Sequence, residues 1–275
     1  MNSRVGSRLL LTVFALVSLA ACSTTETGRA QLTIKSEQQM EYEAKQAYEM
    51  MRANLPLVKD QATINYVACV ANALIDVLEE PEKSMYWELA LFDQPVVNAS
   101  VMAGGKISVY SGLLSQAQNQ HQVASVMGHE MAHAISKHPN ERASRAEVAD
   151  VGIEIAALIL GGPIYTQQDY NKTAGIYDAM RSAQELGLNR PFNRKQESEA
   201  DEIGLIYMAR AGFDPRESVQ LWQNMAAMEK TTPPEILSTH PSDATRLDAQ
   251  VSQLPSVLAI YNEARAAGRE PNCVR

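Results

Sequence analysis

Val126-Met127-Gly128-His129-Glu130-Met131-Ala132-His133-Ala134-Ile135 decides how this 275-residue chain is read. The run is apolar except for two histidines and a glutamate, and its make-up is that of a helix. At 3.6 residues per turn, His129 and His133 project from one face about 6 Å apart. Two neutral imidazoles so placed bind one Zn²⁺ at about 2.0–2.1 Å each. Glu130, beside the first histidine, is positioned to take a proton from water rather than to ligate. Burying these three groups without a partner would be costly, which argues against an ordinary polar helix face.

A reactive zinc needs a third protein ligand and one open position. The stretch Arg194-Lys195-Gln196-Glu197-Ser198-Glu199-Ala200-Asp201-Glu202-Ile203-Gly204 supplies candidates. Glu197 and Asp201, four apart on a helix, share a face. Glu197 is the expected third ligand, and Asp201 is expected to steady a ligating histidine through its second ring nitrogen. Alone, this stretch would read as a solvated acidic helix start. Following the His129–His133 helix, it completes a His/His/carboxylate set that favours one Zn²⁺ per chain.

Outward from that helix, Trp87 to Phe92 alternates with a period near two and predicts a strand. Val96 to Met102 predicts a second, and the turn Gly104-Gly105 leads into a third at Lys106–Tyr110. An edge at Asn98-Ala99 suits pairing with an extended substrate backbone; the alternative is a purely structural hairpin. Helices are predicted from a capping box at Ser36-Glu37-Gln38-Gln39 to Leu55-Pro56, over 60–79, over 122–138 until Pro139, over 141–160 and over 217–230. A mobile loop near the cleft is expected at 163–175. Gly212-Phe213-Asp214-Pro215 reads as a turn, and residues 242–267 as helical segments broken at Pro255. His121 and His138 read as surface or helix-end histidines. The fold class is α+β and mainly helical, with a small sheet before the metal helix and a single domain over 36–275.

The N-terminus reads as a processing signal. Arg4 and Arg8 precede a short apolar run, Leu9 to Leu19, and Leu19-Ala20-Ala21-Cys22 places small residues before a cysteine. The run is too short to span about 30 Å of hydrocarbon comfortably. It resembles a lipoprotein signal over 1–21, with Cys22 acylated and 22–35 a tether; the alternative is a plain signal peptide cut nearby. Ser23 after that cysteine resembles sorting to the outer membrane of Gram-negative bacteria, on its periplasmic side. Cys69 and Cys273 remain, and one pair in an oxidising compartment favours a disulfide over two thiols. The formal net charge of −8 excludes nucleic acid as a partner and gives no attraction to anionic lipid.

Together these residues resemble peptidase family M48, which includes the CAAX prenyl endopeptidases and bacterial periplasmic lipoprotein proteases. The resemblance rests on Asn98-Ala99 before Gly104-Gly105-Lys106-Ile107, on Gly128 to His133, on Glu197-Ser198-Glu199-Ala200-Asp201, and on Ser238-Thr239-His240-Pro241 followed by Arg246. It implies a zincin-like fold, His129, His133 and Glu197 as zinc ligands, Glu130 as general base and Asp201 behind a histidine. His240 resembles a histidine that occludes or assists the site, and with Arg246 it is a candidate for oxyanion stabilisation or gating. Implied partners are unfolded or misfolded proteins, the membrane through the N-terminal lipid, and envelope assembly machinery. The competing expectation is a chaperone-like lipoprotein that holds outer-membrane proteins, with hydrolysis secondary or self-inhibited.

Overall fold

A computed structural model describes residues 22–185, 190–228, 234–241 and 244–275. The signal segment 1–21, the side chain of Cys22, and positions 229–230 and 242–243 of two expected helical stretches lie outside the described residues. Strands β1 (Cys22–Thr24) and β2 (Ala30–Leu32) come first, then helices α1 (Glu37–Asn54) and α2 (Gln61–Ile75). Strands β3 (Glu88–Phe92), β4 (Ala99–Met102) and β5 (Lys106–Tyr110) follow. The rest is helical: α3 (Ser111–Gln116), α4 (Gln120–Ile135), α5 (His138–Gly161), α6 (Gln167–Gln184), α7 (Arg190–Ala211), α8 (Arg216–Met228), α9 (Glu235–Thr239) and α10 (Ala244–Ala266). The α+β, mainly helical class expected from the pattern is what forms.

The chain divides into two compact units. One comprises residues up to Ser36 with Lys137–Pro191, the other Glu37–Ser136 with Phe192–Arg275. The larger unit holds the three-stranded sheet in the order β3-β5-β4, with β3 parallel and β4 antiparallel to β5. Ala99 faces Val109 and Val101 faces Ile107 across the hairpin. Gly104 and Gly105 turn it with φ of +70° and +69°, and a Cβ on Gly105 would meet the Tyr86 carbonyl at 2.8 Å. Helix α2 is opened by Asp60, whose carboxylate accepts the Thr63 amide at 2.9 Å. It buries Val67, Val70, Ala71 and Leu74 in the core.

Helix α4 is buried from Gln122 to His133, its polar side chains included. Asn119 caps it, accepting the amides of His121 and Gln122 at 3.0 Å each. It ends at Ile135, earlier than expected, because Lys137 adopts a left-handed conformation (φ 55°) and Pro139 fits the first turn of α5. His138 therefore opens the next helix and is buried, not a surface group at the end of this one. The expected break at Pro255 does not occur. Helix α10 runs through it, and the carbonyl deprived of a partner belongs to exposed Val251, on the solvent side. Cys69 on α2 and Cys273 in the C-terminal tail are joined by a disulfide with Cα atoms 5.6 Å apart.

In the smaller unit, the expected tether over 22–35 is partly a hairpin, with Cys22 facing Leu32 and Thr24 facing Ala30. Its anchor is electrostatic. Glu141, fully buried on α5, receives both terminal nitrogens of Arg29 at 3.0 and 2.9 Å, and the Ile34 amide donates to Ser144 Oγ at 2.8 Å. The loop expected at 163–175 is mostly the start of α6. Thr166 and Asp169 form a capping box there, a T-x-x-D signal masked by polar neighbours. Helices α5 and α6 pack along Ile153, Ala157 and Gly161, and a Cβ on Gly161 would lie 2.1 Å from Thr173 Oγ1. Among the described residues, no helix is long and apolar enough to cross a membrane.

Candidate metal centre

Helices α4 and α7 touch backbone to backbone where Gly128 meets Gly204. A Cβ on Gly204 would lie 2.9 Å from the His129 amide nitrogen, and one on Gly128 would lie 3.1 Å from the Gly204 carbonyl oxygen. Each glycine adjoins a functional turn. The close crossing brings the Glu197–Asp201 face of α7 against His129 and His133 of α4. Gly128 belongs to the motif that includes His129, and Gly204 stands three residues after Asp201, but no sequence pattern announces their contact.

The resulting cluster is buried and convergent. His129 Nε2 lies 3.1 Å from His133 Nε2 and 3.3 Å from Glu197 Oε2, while His133 Nε2 lies 3.3 Å from Glu197 Oε1. His240, just past α9, places Nδ1 3.2 Å from His129 Nε2 and 2.9 Å from Glu197 Oε2. One ligand atom from each of these four residues lies within 4.8 Å of the others. Four donors about 2.0–2.1 Å from a tetrahedral Zn²⁺ stand roughly 3.3 Å apart, close to the separations seen. The donor set and its spacing fit zinc. Glu130 Oε1 is buried, has no hydrogen-bond partner and lies 3.3 Å from His240 Nε2. It is an acceptor held ready beside the cluster.

Behind the ligands stands a charged support. His129 Nδ1 is 3.0 Å from Asp201 Oδ1, close though poorly aligned. Arg246 donates from Nε to Asp201 Oδ2 and from Nη2 to Oδ1, each at 2.8 Å, and from Nη1 to the Pro241 carbonyl at 2.8 Å. Its guanidinium also lies 5.2 Å from the centre of the Trp222 ring, which meets His129 edge-on at 5.6 Å. Arg246 thus holds Asp201 and the 240–241 backbone together. Trp222 sits at core spacing on α8 and is also a wall of the site; nothing in that spacing separates the two roles.

Electrostatics follow from this packing. Burial opposes ionisation of Glu197, yet contacts with His129, His133 and His240 hold its carboxyl far below the usual range. Burial also opposes ionisation of Asp201, but Arg246 and His129 bring it to about 2. For His129, burial disfavours charge but is outweighed by Asp201 and Glu197, which hold it at about 9. His133 is kept well below its ordinary value, chiefly by burial and then by the neighbouring imidazoles.

The other sequence candidates fall as follows. Asn98 precedes β4 and Ala99 begins it, and β4 is a sheet edge, hydrogen-bonded to one neighbour. His121 accepts the Asp214 amide at 3.1 Å and, like His138, stands apart from the four-residue cluster.

The sequence profile of Peptidase family M48 matches residues 61–252. The chain is 30% identical over 262 residues to human metalloendopeptidase OMA1, mitochondrial, covering 92% of this chain and 49% of that protein. It is 34% identical over 182 residues to Arabidopsis thaliana mitochondrial metalloendopeptidase OMA1, covering 66% and 34%. To the beta-barrel assembly-enhancing protease of Yersinia pestis it is 29% identical over 204 residues, covering 72% and 40%. The chain thus spans from a third to a half of these curated relatives.

Proposed function

Because the chain belongs to Peptidase family M48, we propose that it is a zinc-dependent endopeptidase of the cell envelope. On this reading it is held by lipid at Cys22 on the periplasmic side of the outer membrane and cleaves unfolded or misassembled envelope proteins. The observation carrying the hydrolytic part is the convergence of His129, His133 and Glu197 beside the unpartnered Glu130 Oε1. The envelope part is supported by the N-terminal signal pattern and by likeness to a protease named for beta-barrel assembly.

His129, His133 and Glu197 would hold Zn²⁺, which supplies Lewis-acid polarisation of the scissile carbonyl and acidifies water. Glu130 takes the proton of the attacking water and returns it to the leaving amine. Asp201, fixed by Arg246, orients His129. The Tyr110 amide donates to the Asn98 carbonyl at 3.2 Å. Alternation along an antiparallel pair then turns the backbone groups of Ala99 and Val101 to the free edge of β4, where an extended substrate would pair.

A second reading is favoured by His240. Its Nδ1 lies beside the donor atoms of His129 and Glu197, where it would take the fourth position about a bound ion in place of water, in keeping with a chaperone-like holder whose hydrolysis is self-inhibited. One experiment addresses both readings: proteolysis of an unfolded outer-membrane protein, with zinc content measured in parallel. Glu130→Gln should keep zinc and lose cleavage by two or more orders of magnitude. Full cleavage by that variant would remove the assigned base. Faster cleavage by His240→Ala would identify a gate, and slower cleavage a participant.

A further inference from the structure

We propose that the tip of the α5–α6 hairpin dips into the surface of a lipid bilayer. The observation is a run of exposed apolar side chains with nothing packed on them in this unit. Val148, Val151, Ile155 and Leu158 recur at helical spacing along α5 and are exposed. At the tip, Ile159 is 75%, Leu160 63% and Tyr165 86% exposed, joined by Ile164 and Tyr170. The inward positions of α5, Ile153, Ala157 and Gly161, are already spent on α6, so the exposed set is not a misplaced core.

The sequence at the tip carries no charge from Ile155 to Gln168. Glu154 stands on one side of this interval, and Asp169 and Lys172 on the other. Asp169 accepts from the Thr166 hydroxyl and from the Tyr165 and Thr166 amides, while Lys172 is tied to the Gly161 carbonyl at 3.2 Å. A two-helix tip that is apolar at its end, rimmed by tyrosines and then by charge suits the boundary between headgroups and acyl chains, about 5–10 Å deep. Neither helix is a span.

What selects lipid as the occupant is the path of the chain. The described residues begin at Cys22 in β1, within the same compact unit, and β2 lies against α5. The 21 residues before it contain the apolar run Leu9–Leu19 and the small residues that precede an acylated cysteine. Arg29 and Ile34 tie the N-terminal segment to the first turns of α5, at Glu141 and Ser144, and the exposed apolar side chains run from Val148 along the same helix to its far end, so an attachment at Cys22 would keep at a bilayer the unit that carries them. For that choice of partner the inference rests on the lipid anchor, and it is independent of the peptidase reading. With a net charge of −8, attraction to anionic headgroups contributes nothing, so apolar burial drives the insertion.

The test uses the full chain in phosphatidylcholine vesicles. An environment-sensitive nitrobenzoxadiazole probe is placed by Ile159→Cys or, separately, by Tyr165→Cys, with Ser182→Cys near the other end of α6 as reference. The unsubstituted chain treated alike gives the background, and circular dichroism checks each fold. Nitroxide-bearing lipid should quench both tip probes several-fold more than the Ser182 probe, with aqueous iodide losing access to the tip. Tip probes open to iodide on a chain that sediments with vesicles would overturn the insertion and leave the anchor standing. Protection from both quenchers would mean a protein covers the tip, and failure to associate with vesicles would remove the membrane altogether; either overturns the proposal.

Discussion

Arg246 and Asp201 form a buried ion pair in which each partner answers the other's desolvation. Removing the cation strands a carboxylate behind His129, and breaking such a pair typically costs about 3–5 kcal/mol. Arg246→Ala should therefore lower the thermal midpoint and weaken zinc retention together, as measured by calorimetry and metal analysis. Arg246→Lys should restore only part of both, because lysine cannot repeat the two-pronged geometry on Asp201. A titration follows from His121, which burial holds below its ordinary value while its ring accepts the Asp214 amide. Above about pH 6.5 the ring is neutral both folded and unfolded; below it the unfolded chain takes up a proton that the folded one resists. Stability should thus fall on acidification from pH 6.5, and His121→Gln should flatten that part of the midpoint-against-pH curve. His129 with His133, and Glu197 with Asp201, share helix faces by their spacing of four, Glu130 stands next to the first histidine, and the acidic pair gained its meaning only from the histidine helix before it. Trp222 was not legible as part of the site, since a core indole and a site wall leave the same mark in a sequence.

Among elements, the crossing of α4 on α7 decides whether a site exists. Gly204→Ala places a methyl 2.9 Å from a backbone nitrogen that has no side chain to swing aside. The helices must part by a few tenths of an ångström or more, at a cost of roughly 1–3 kcal/mol. The expected outcome is a chain with unchanged helical content and substoichiometric zinc, read by circular dichroism and metal analysis. Full zinc occupancy would mean that the crossing is looser than the geometry implies. Elements were readable where one signal dominated, such as the alternation of β3 or the cap at Asp60. Two were misread for definite reasons. The start of α6 has a polar surface that no core pattern announces, and α10 passes through Pro255 because the carbonyl opposite it is exposed. The seating of the N-terminal hairpin on α5 was invisible for a third reason. It depends on Arg29 finding Glu141, a pairing across more than a hundred residues that no local pattern records.

For the whole molecule, the disulfide between Cys69 and Cys273 spans a sequence separation of 204 residues. Cross-links closing loops this long contribute about 2–5 kcal/mol, mainly by restricting the unfolded chain. Cys69→Ala with Cys273→Ala should reduce unfolding free energy by that order in denaturant titration while leaving zinc stoichiometry intact, since neither sulfur touches the cluster. A drop in zinc content would instead show that the C-terminal tail helps shape the centre. The same bond has a topological effect. Lys137–Pro191, with its exposed hairpin, lies entirely within the covalent ring. A cut there by any protease yields two pieces that still migrate as one. Nicked molecules would pass unnoticed on a gel until thiol is added, and processing of the hairpin would be reversible in neither sequence nor activity, yet silent in apparent mass.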